Sequence, residues 1–482
     1  MELQEFRYPW NSAVEFFAGG YFKDFLALHL TLAYIAMFLF CIAVFRSRRS
    51  VVQKLVTLYF ALTLFNNFAF EVGGVTIGDA FGIMACGVFL FKSLFDQSIF
   101  RIGKLVFSMI TITALIVVHQ IMIGALYPGL NDGSDGITRI AVTLKIVVLA
   151  IVIWAFSREF RTTDSLHWLM QWTVNFALIG IGAYFVQGMI LATGHLPYGT
   201  FFDAGYVGVP AFGSVSIERG HFGKFMTPLF PIFLIMYRKH HRKWAWIGFV
   251  VVTVINVSAS SLAFFSAYIL LTAFAYRNRL KKPKYLAGAI VILVMVVGLS
   301  VAMHEVLFGV VDKIVSSGFE GQSGGGRGIG NFLDYMRLYP LGMSYGGSTL
   351  RNISRLDEMN SGIMAFFTQF GVISPIVLCA YLALLFVSIR KAMHFSDPVT
   401  RRMLVIGILM TGMIFATDIL WFVPTIWLPI VIAMSGTKEG TCLACNPLRK
   451  SSRFRIVFAR KAAMTTVHRG GLTLARRLRA DN

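Results

Sequence analysis

The sequence predicts an all-α fold, a polytopic membrane helical bundle of about 12–13 transmembrane helices with a large outer loop carrying short amphipathic helices. Three observations predict it. Hydrophobic residues make up 56% of the 482-residue chain and charged residues only 14%, against about 25% charged in soluble domains. Mean hydropathy is +0.70, and the 45 Phe outnumber the 23 Asp and Glu together. Such a chain has too little polar surface to cover itself in water, which excludes a soluble enzyme, a disordered chain and a coiled coil. Third, Lys and Arg fall in short clusters between apolar runs: Arg46-Ser47-Arg48-Arg49, Arg238-Lys239-His240-His241-Arg242-Lys243, Arg277-Asn278-Arg279-Leu280-Lys281-Lys282, Arg390-Lys391, Arg401-Arg402 and the last forty-odd residues. The formal charge of +21 would suit nucleic acid, but this placement is that of cytoplasmic loops. The expected partner is the lipid bilayer, with no nucleic acid.

Each span needs about 20 mostly apolar residues. In chain order the candidates are 25–45, 53–71, 74–93, 104–126, 139–156, 168–193, 222–237, 244–259, 261–276, 286–303, 362–389, 403–418 and 419–435. Very short turns join 53–71 to 74–93 and 244–259 to 261–276, so these pairs can also be re-entrant. Placing 46–52 in the cytoplasm sends 94–103, 157–167, 238–243, 277–285, 390–402 and the tail to the same side, and all are basic or neutral. The opposite loops, 1–24, 72–73, 127–138, 195–221 and 304–361, are neutral to acidic, with Glu71, Asp79, Asp132 and Asp135 at or near them. Every loop obeys the positive-inside rule, which puts the N-terminus outside and the C-terminus inside. Residues 1–21 then form an outer or interfacial segment, 22–436 the transmembrane domain with its large loop at 304–361, and 437–482 a basic cytoplasmic tail suited to anionic lipid. The N-terminal stretch has no basic region and carries Glu2, Glu5 and Glu15, so a cleavable signal peptide is not expected.

Five Cys in a chain this long are no disulfide framework. Cys41, Cys86 and Cys379 lie in apolar stretches and read as small buried hydrophobes. Cys442-x-x-Cys445 has metal-ligand spacing but no second pair and no His cluster beside it, and neither an H-E-x-x-H motif, a nucleophile elbow nor an acidic metal cluster appears. No metal and no cofactor are expected.

Two outer loops, 195–221 and 304–361, are longer than turns require, and loops beyond about 12–15 residues are usually functional or disordered. The second mixes Gly324-Gly325-Gly326-Arg327 and Tyr345-Gly346-Gly347 with Phe332, Leu333, Tyr335, Met336, Leu338 and Tyr339, the pattern of a short amphipathic helix lying on the outer surface. Outer arginines are informative because positive charge is selected against on that face. Arg219 lies in Glu218-Arg219-Gly220-His221-Phe222-Gly223-Lys224, at the mouth of the 222–237 span. Arg219 and Lys224 either snorkel to headgroups or bind an anion, for which the guanidinium fork and close-approaching glycines are suited. His221 is either an interfacial histidine or an acid–base group. Arg327 follows three glycines whose backbone N–H groups can face an anion, and Arg337 lies further along. Arg351 and Arg355 have Asp357 and Glu358 as ready partners. Within the spans, His119, Gln120, Lys145, Asn175 and Asp418 are costly to bury and imply a polar interior. Lys145 is the costliest, and Asp79 or Asp418 can pair with it. The Ser258-Ala259-Ser260-Ser261 turn suits close helix packing.

The arrangement resembles the bacterial O-antigen polymerase/O-antigen ligase superfamily. GVPAFGSVSIERGHFGKFMTPLFPIFL (208–234) looks like that family's Arg-containing loop running into a Pro-bearing helix, and INVSASSLAFFSAYILL (255–271) like its Ser-rich helix junction. RGIGNFLDYMRLYPLGMSYGG (327–347) followed by MNSGIMAFFTQFGVISPI (359–376) is similar to its large loop. The likeness covers roughly residues 170–435. Ligases carry a His before the loop's Asn where this chain has Met359, which favours the polymerase-type members. The resemblance implies a metal-independent glycosyltransferase at the periplasmic face of the bacterial inner membrane. It would polymerise undecaprenyl-pyrophosphate-linked oligosaccharide repeats into O-antigen, capsule or exopolysaccharide, alongside a chain-length regulator and flippase of the same pathway. Arg219 and Arg327 would stabilise the leaving pyrophosphate, with Glu218 or His221 as base. Lys224, Arg337, Tyr345 and Asn360 would bind substrate, and an apolar groove between spans would hold the polyprenyl tails. The alternatives are a polysaccharide or lipid-linked-oligosaccharide flippase or other transporter, an O-antigen ligase, and a non-catalytic assembly protein.

Overall fold

The computed structural model describes residues 8–72, 75–96, 103–128, 133–202, 210–217, 219–240, 336–342, 362–395, 397–417 and 423–435, with the isolated positions 267, 271, 277 and 283. The expected spans 244–259, 261–276 and 286–303, the tail, Asp418, the Ser258–Ser261 turn and the Cys442/Cys445 pair lie outside the described residues. Among the described residues the protein is mostly helical, and seven helices are long and apolar enough to cross a membrane.

A short helix α1 (Ala13–Ala18) precedes α2 (Leu28–Arg46), α3 (Val51–Ala61), α4 (Ile77–Phe95), α5 (Lys104–Leu126), α6 (Gly133–Glu159) and α7 (Thr163–Ala192). Further along come α8 (Arg219–Met226), α9 (Phe230–His240), α10 (Gly362–Phe370), α11 (Ser374–Met393), α12 (Pro398–Thr417) and α13 (Pro424–Ala433). α2 packs along α7, α4 against α3 and α6, and α5 against α6, while α11, α12 and α13 pack on one another and α12 on α9. α13 also touches α3 and α6, so the two groups share one core.

Polar side chains sort to the two ends. At one end Arg49 pairs with Asp164, Lys92 Nζ lies 2.6 Å from Glu159 Oε1, and Ser50 Oγ donates to Glu159 Oε2 at 2.9 Å. This places the 46–50 turn, the end of α4 and the α6–α7 junction together, as the alternation of basic loops requires. At the other end Trp10, 1% exposed, is boxed by Tyr8, Phe16, Tyr21 and Tyr198, and the Tyr198 hydroxyl donates to Asp24 at 2.9 Å. Two short antiparallel hairpins lie here: β1 (Glu71–Val72) with β2 (Val75–Thr76), and β3 (Thr200–Phe202) with β4 (Pro210–Phe212).

Three apolar runs expected as single spans are broken. The 53–71 run is continuously helical only to Leu64 and resumes as a single 3-10 turn at Phe68–Phe70. The continuous stretch ends where Asn67 turns back, its carboxamide oxygen accepting from Ala69 N–H and its Nδ2 donating to Ser216 O. The 222–237 run divides into α8 and α9 at a 3-10 turn containing Pro228, whose missing N–H interrupts the helical ladder. The 362–389 run divides into α10 and α11 at Gly371, which has φ +52. Among the described residues, the 419–435 run yields the ten residues of α13, about 15 Å at helical rise. Conversely, α6 and α7 are longer than the 139–156 and 168–193 runs predicted.

The space left beside short α3 is filled by backbone from the hairpin end. Ser216 Oγ donates to Leu64 O at 2.9 Å and Ser214 Oγ to Gly180 O at 2.6 Å. Gly180 lies twelve residues inside the end of α7, about 18 Å at helical rise. The 213–217 segment therefore dips deep into the bundle, instead of running over its surface.

Candidate functional site

Two chambers flank α6 and α13. The first is polar. Lys145 Nζ lies 3.1 Å from Asp79 Oδ2, making Asp79 the partner of this costly lysine. The first turn of α4 holds Asp79 in place through a capping box: Thr76 Oγ1 accepts from Asp79 N–H, and Thr76 N–H and Oγ1–H donate to Asp79 Oδ2. Together with Thr63, Asn66 and Phe225 these residues line a cleft of about 60 Å³. Glu71 stands nearby on β1. Burial raises its pKa above the usual value of 4.5, Lys145 opposes that rise and Asp79 adds to it.

The second chamber is apolar, a cavity of about 100 Å³ whose lining includes Ile112, Ile116, Ile146, Phe366, Tyr381 and Trp427. Its helices change character toward the end of α5. His119, Gln120 and Arg139 are buried there at 2%, 4% and 8% exposure. His119 Nε2 lies 2.7 Å from Leu341 O, and Gln120 Nε2 lies 3.3 Å from His119 Nδ1. A carbonyl only accepts, so the imidazole carries its proton on Nε2 and accepts from Gln120. The Arg139 guanidinium lies flat against Gly124, where an added Cβ would sit 2.7 Å from Nη2. The Gln369 Oε1 atom and the Tyr381 hydroxyl are buried without hydrogen-bond partners among the described residues.

The turn supplying Leu341 belongs to the large loop. Residues 336–338 are helical, and 339–342 insert at the α10–α11 break, where Val372 N–H donates to Pro340 O at 2.9 Å. Gly342 has φ +89 and packs directly on the Gln369 carbonyl. His119 lies seven residues inside the end of α5, about 10 Å. The 339–342 turn is thus inserted, while 336–338, the described part of the expected amphipathic helix, is helical with Leu338 exposed. A chain segment can run there because the break at Gly371 exposes backbone groups for it to satisfy.

Of the expected site residues, Arg219 opens α8. One turn on, the Phe222 ring packs on Gly180, midway along α7, at 3.1 Å from the position of an added Cβ. His221 and Lys224 are half-buried on the same helix. The His221 ring stacks on Phe225 at 5.7 Å, and Phe225 lines the polar cleft, so this face of α8 adjoins the Lys145–Asp79 pair. Arg337 is exposed on the short helical stretch 336–338 that precedes the inserted turn. Glu218, Arg327, Tyr345 and Asn360 lie outside the described residues, as does the Arg219 side chain. Sequence reading passed over Asn66, Arg139, Gln369 and Tyr381. The Asn66-Asn67 pair inside an apolar run, and an arginine opening a span, were the available signals for the first two. No known family model matches the chain, and no curated protein matches it significantly.

Proposed function

We propose that this chain is a membrane glycosyltransferase that polymerises undecaprenyl-pyrophosphate-linked oligosaccharide repeats into a surface polysaccharide at the periplasmic face of the inner membrane. One observation carries the reading. The helices that line the apolar cavity also carry buried polar residues beyond its lining: His119 and Gln120 on α5, Arg139 on α6 and Gln369 on α10. That profile suits an amphipathic ligand, with a hydrocarbon chain below and an anionic, hydroxyl-bearing head above. A buried guanidinium meets phosphate oxygens through its planar fork, and a desolvated site strengthens that attraction.

In the transfer, an acceptor hydroxyl attacks the anomeric carbon of the donor sugar, and the bond from that carbon to the pyrophosphate oxygen breaks. The electron pair leaves with the lipid pyrophosphate, and the hydroxyl proton passes to a base. Arg219, Arg327 and Arg139 stabilise the charge growing on the leaving group, Lys224 and Arg337 hold the substrate, and His221 or Glu218 takes the proton.

Arg139→Gln, Arg219→Ala and Arg327→Ala should each lower polymer output by about a hundredfold, the effect of losing one preorganised charge-stabilising donor. Electrophoresis of surface glycans checks this. A polymerase defect leaves single capped repeat units, whereas loss of all surface glycan identifies a flippase, and unchanged long chains rule out a role for these residues.

A further inference from the structure

The cleft around Lys145 and Asp79 has no part in holding a pyrophosphate or a hydrocarbon chain, yet it is lined for a ligand. Asp79 uses Oδ2 for Thr76 and Lys145, and its Oδ1 accepts nothing among the described residues. Lys145 has three ammonium donors and one described partner. The Asn66 carboxamide faces the same cleft and makes no hydrogen bond among the described residues. Thr63 and Thr76 both donate their hydroxyls elsewhere, to Tyr59 O and Asp79, which leaves their oxygens as acceptors. The remaining wall, Phe225, Val423 and Pro424, is apolar.

Charge narrows the ligand class. An inorganic anion would face the Asp79 carboxylate and the neighbouring Glu71, and a free cation would face Lys145. A neutral molecule with donors and acceptors alternating along one edge satisfies every group. Vicinal hydroxyls of a sugar do this, and the ring's C–H face suits Phe225 and Pro424. The volume of about 60 Å³ holds roughly four to six water-sized groups at ~10–15 Å³ each, enough for the polar edge of one ring and too little for an oligosaccharide. We infer that this cleft is a monosaccharide subsite, in which Asn66, Asp79 and Lys145 bind the hydroxyl edge of one sugar residue. The inference rests on the glycan-transfer reading above, and the subsite would seat one sugar of a repeat beside the α8 face that carries His221.

Saturation-transfer NMR on the full chain in lipid nanodiscs tests it with two separate probes. The first is a set of free hexoses and N-acetylhexosamines at millimolar concentration, and the second is farnesyl pyrophosphate. The near-isosteric variants Asn66→Asp and Thr63→Val keep the cleft's shape. At least one sugar should bind the wild type, and its affinity should fall about tenfold in Asn66→Asp, with farnesyl pyrophosphate binding retained in both variants. If no sugar binds the wild type, or sugars bind both variants as well as the wild type, the subsite is overturned while the carrier reading stands. If sugar binding depends on Asn66 but farnesyl pyrophosphate fails to bind, the subsite stands and the carrier reading falls.

Discussion

Lys145, with its side chain 28% exposed, shows how partial burial in an apolar helix turns one residue into a structural constraint. An ammonium in an apolar span needs an opposite charge within reach, and the capping box of α4 presents Asp79 at 3.1 Å. A second carboxyl, Glu71, senses the same pair and holds its proton more tightly in the folded chain than the usual value of 4.5 implies. The sign of the consequence follows from proton linkage. Below the ordinary value this group's contribution to stability is fully present. It is lost as pH rises through the raised folded value, because only the folded state retains the proton in that window. Glu71→Gln should therefore remove a decline in melting temperature between pH 4.5 and the folded titration point. A variant whose melting profile tracks the wild type across that window would show that Glu71 does not titrate there. At this scale the site was partly legible. Lys145 and its partner follow from the cost of a buried charge. Arg139 was signalled as an arginine opening a span, whereas Gln369 and Tyr381 were not, because their importance comes from neighbours distant in sequence.

The elements most relevant to function are the interrupted ones. α8 and α9 meet at Pro228, α10 and α11 at Gly371, and the α3 run stops before Asn67. At two of these interruptions an inserted segment meets the freed backbone: Ser216 of 213–217 donates to Leu64 O, and Pro340 O of 339–342 accepts from Val372 N–H. Gly371 carries the second junction. Its φ of +52 is a region that L-residues avoid, and an added Cβ would overlap the Pro340 carbonyl. Gly371→Ala should destabilise the protein by about 1–3 kcal/mol and release the 339–342 turn from His119. The checks are the melting temperature in detergent and protease cleavage near Pro340. Exposed Val372→Ala, next in the chain, should leave both unchanged. An equally stable, equally protected Gly371→Ala would mean that the break accommodates a side chain. The positions of these breaks were visible as Pro228, Gly371 and the Asn pair, but apolar runs read by hydropathy alone merge across them.

For the whole molecule, the ion pairs at Arg49, Lys92 and Glu159 gather at one end, and the Trp10 box and both hairpins at the other. The positive-inside rule assigns the first end to the cytoplasm. With the five native cysteines replaced, a membrane-impermeant maleimide should label Val14→Cys in intact cells and Ser47→Cys only after permeabilisation. The opposite pattern would invert the orientation.

Composition and the spacing of basic clusters were enough to predict a helical membrane protein, most of its long spans and the meeting of the 46–50 turn with the α6–α7 junction, because each of these depends on a sum over many residues. The inserted turns, the Lys145–Asp79 cleft and the apolar cavity beneath Arg139 were decided only by tertiary structure. Each depends on a few contacts between segments far apart in the chain, and hydropathy, a local average, carries no information about which broken helix another segment will enter.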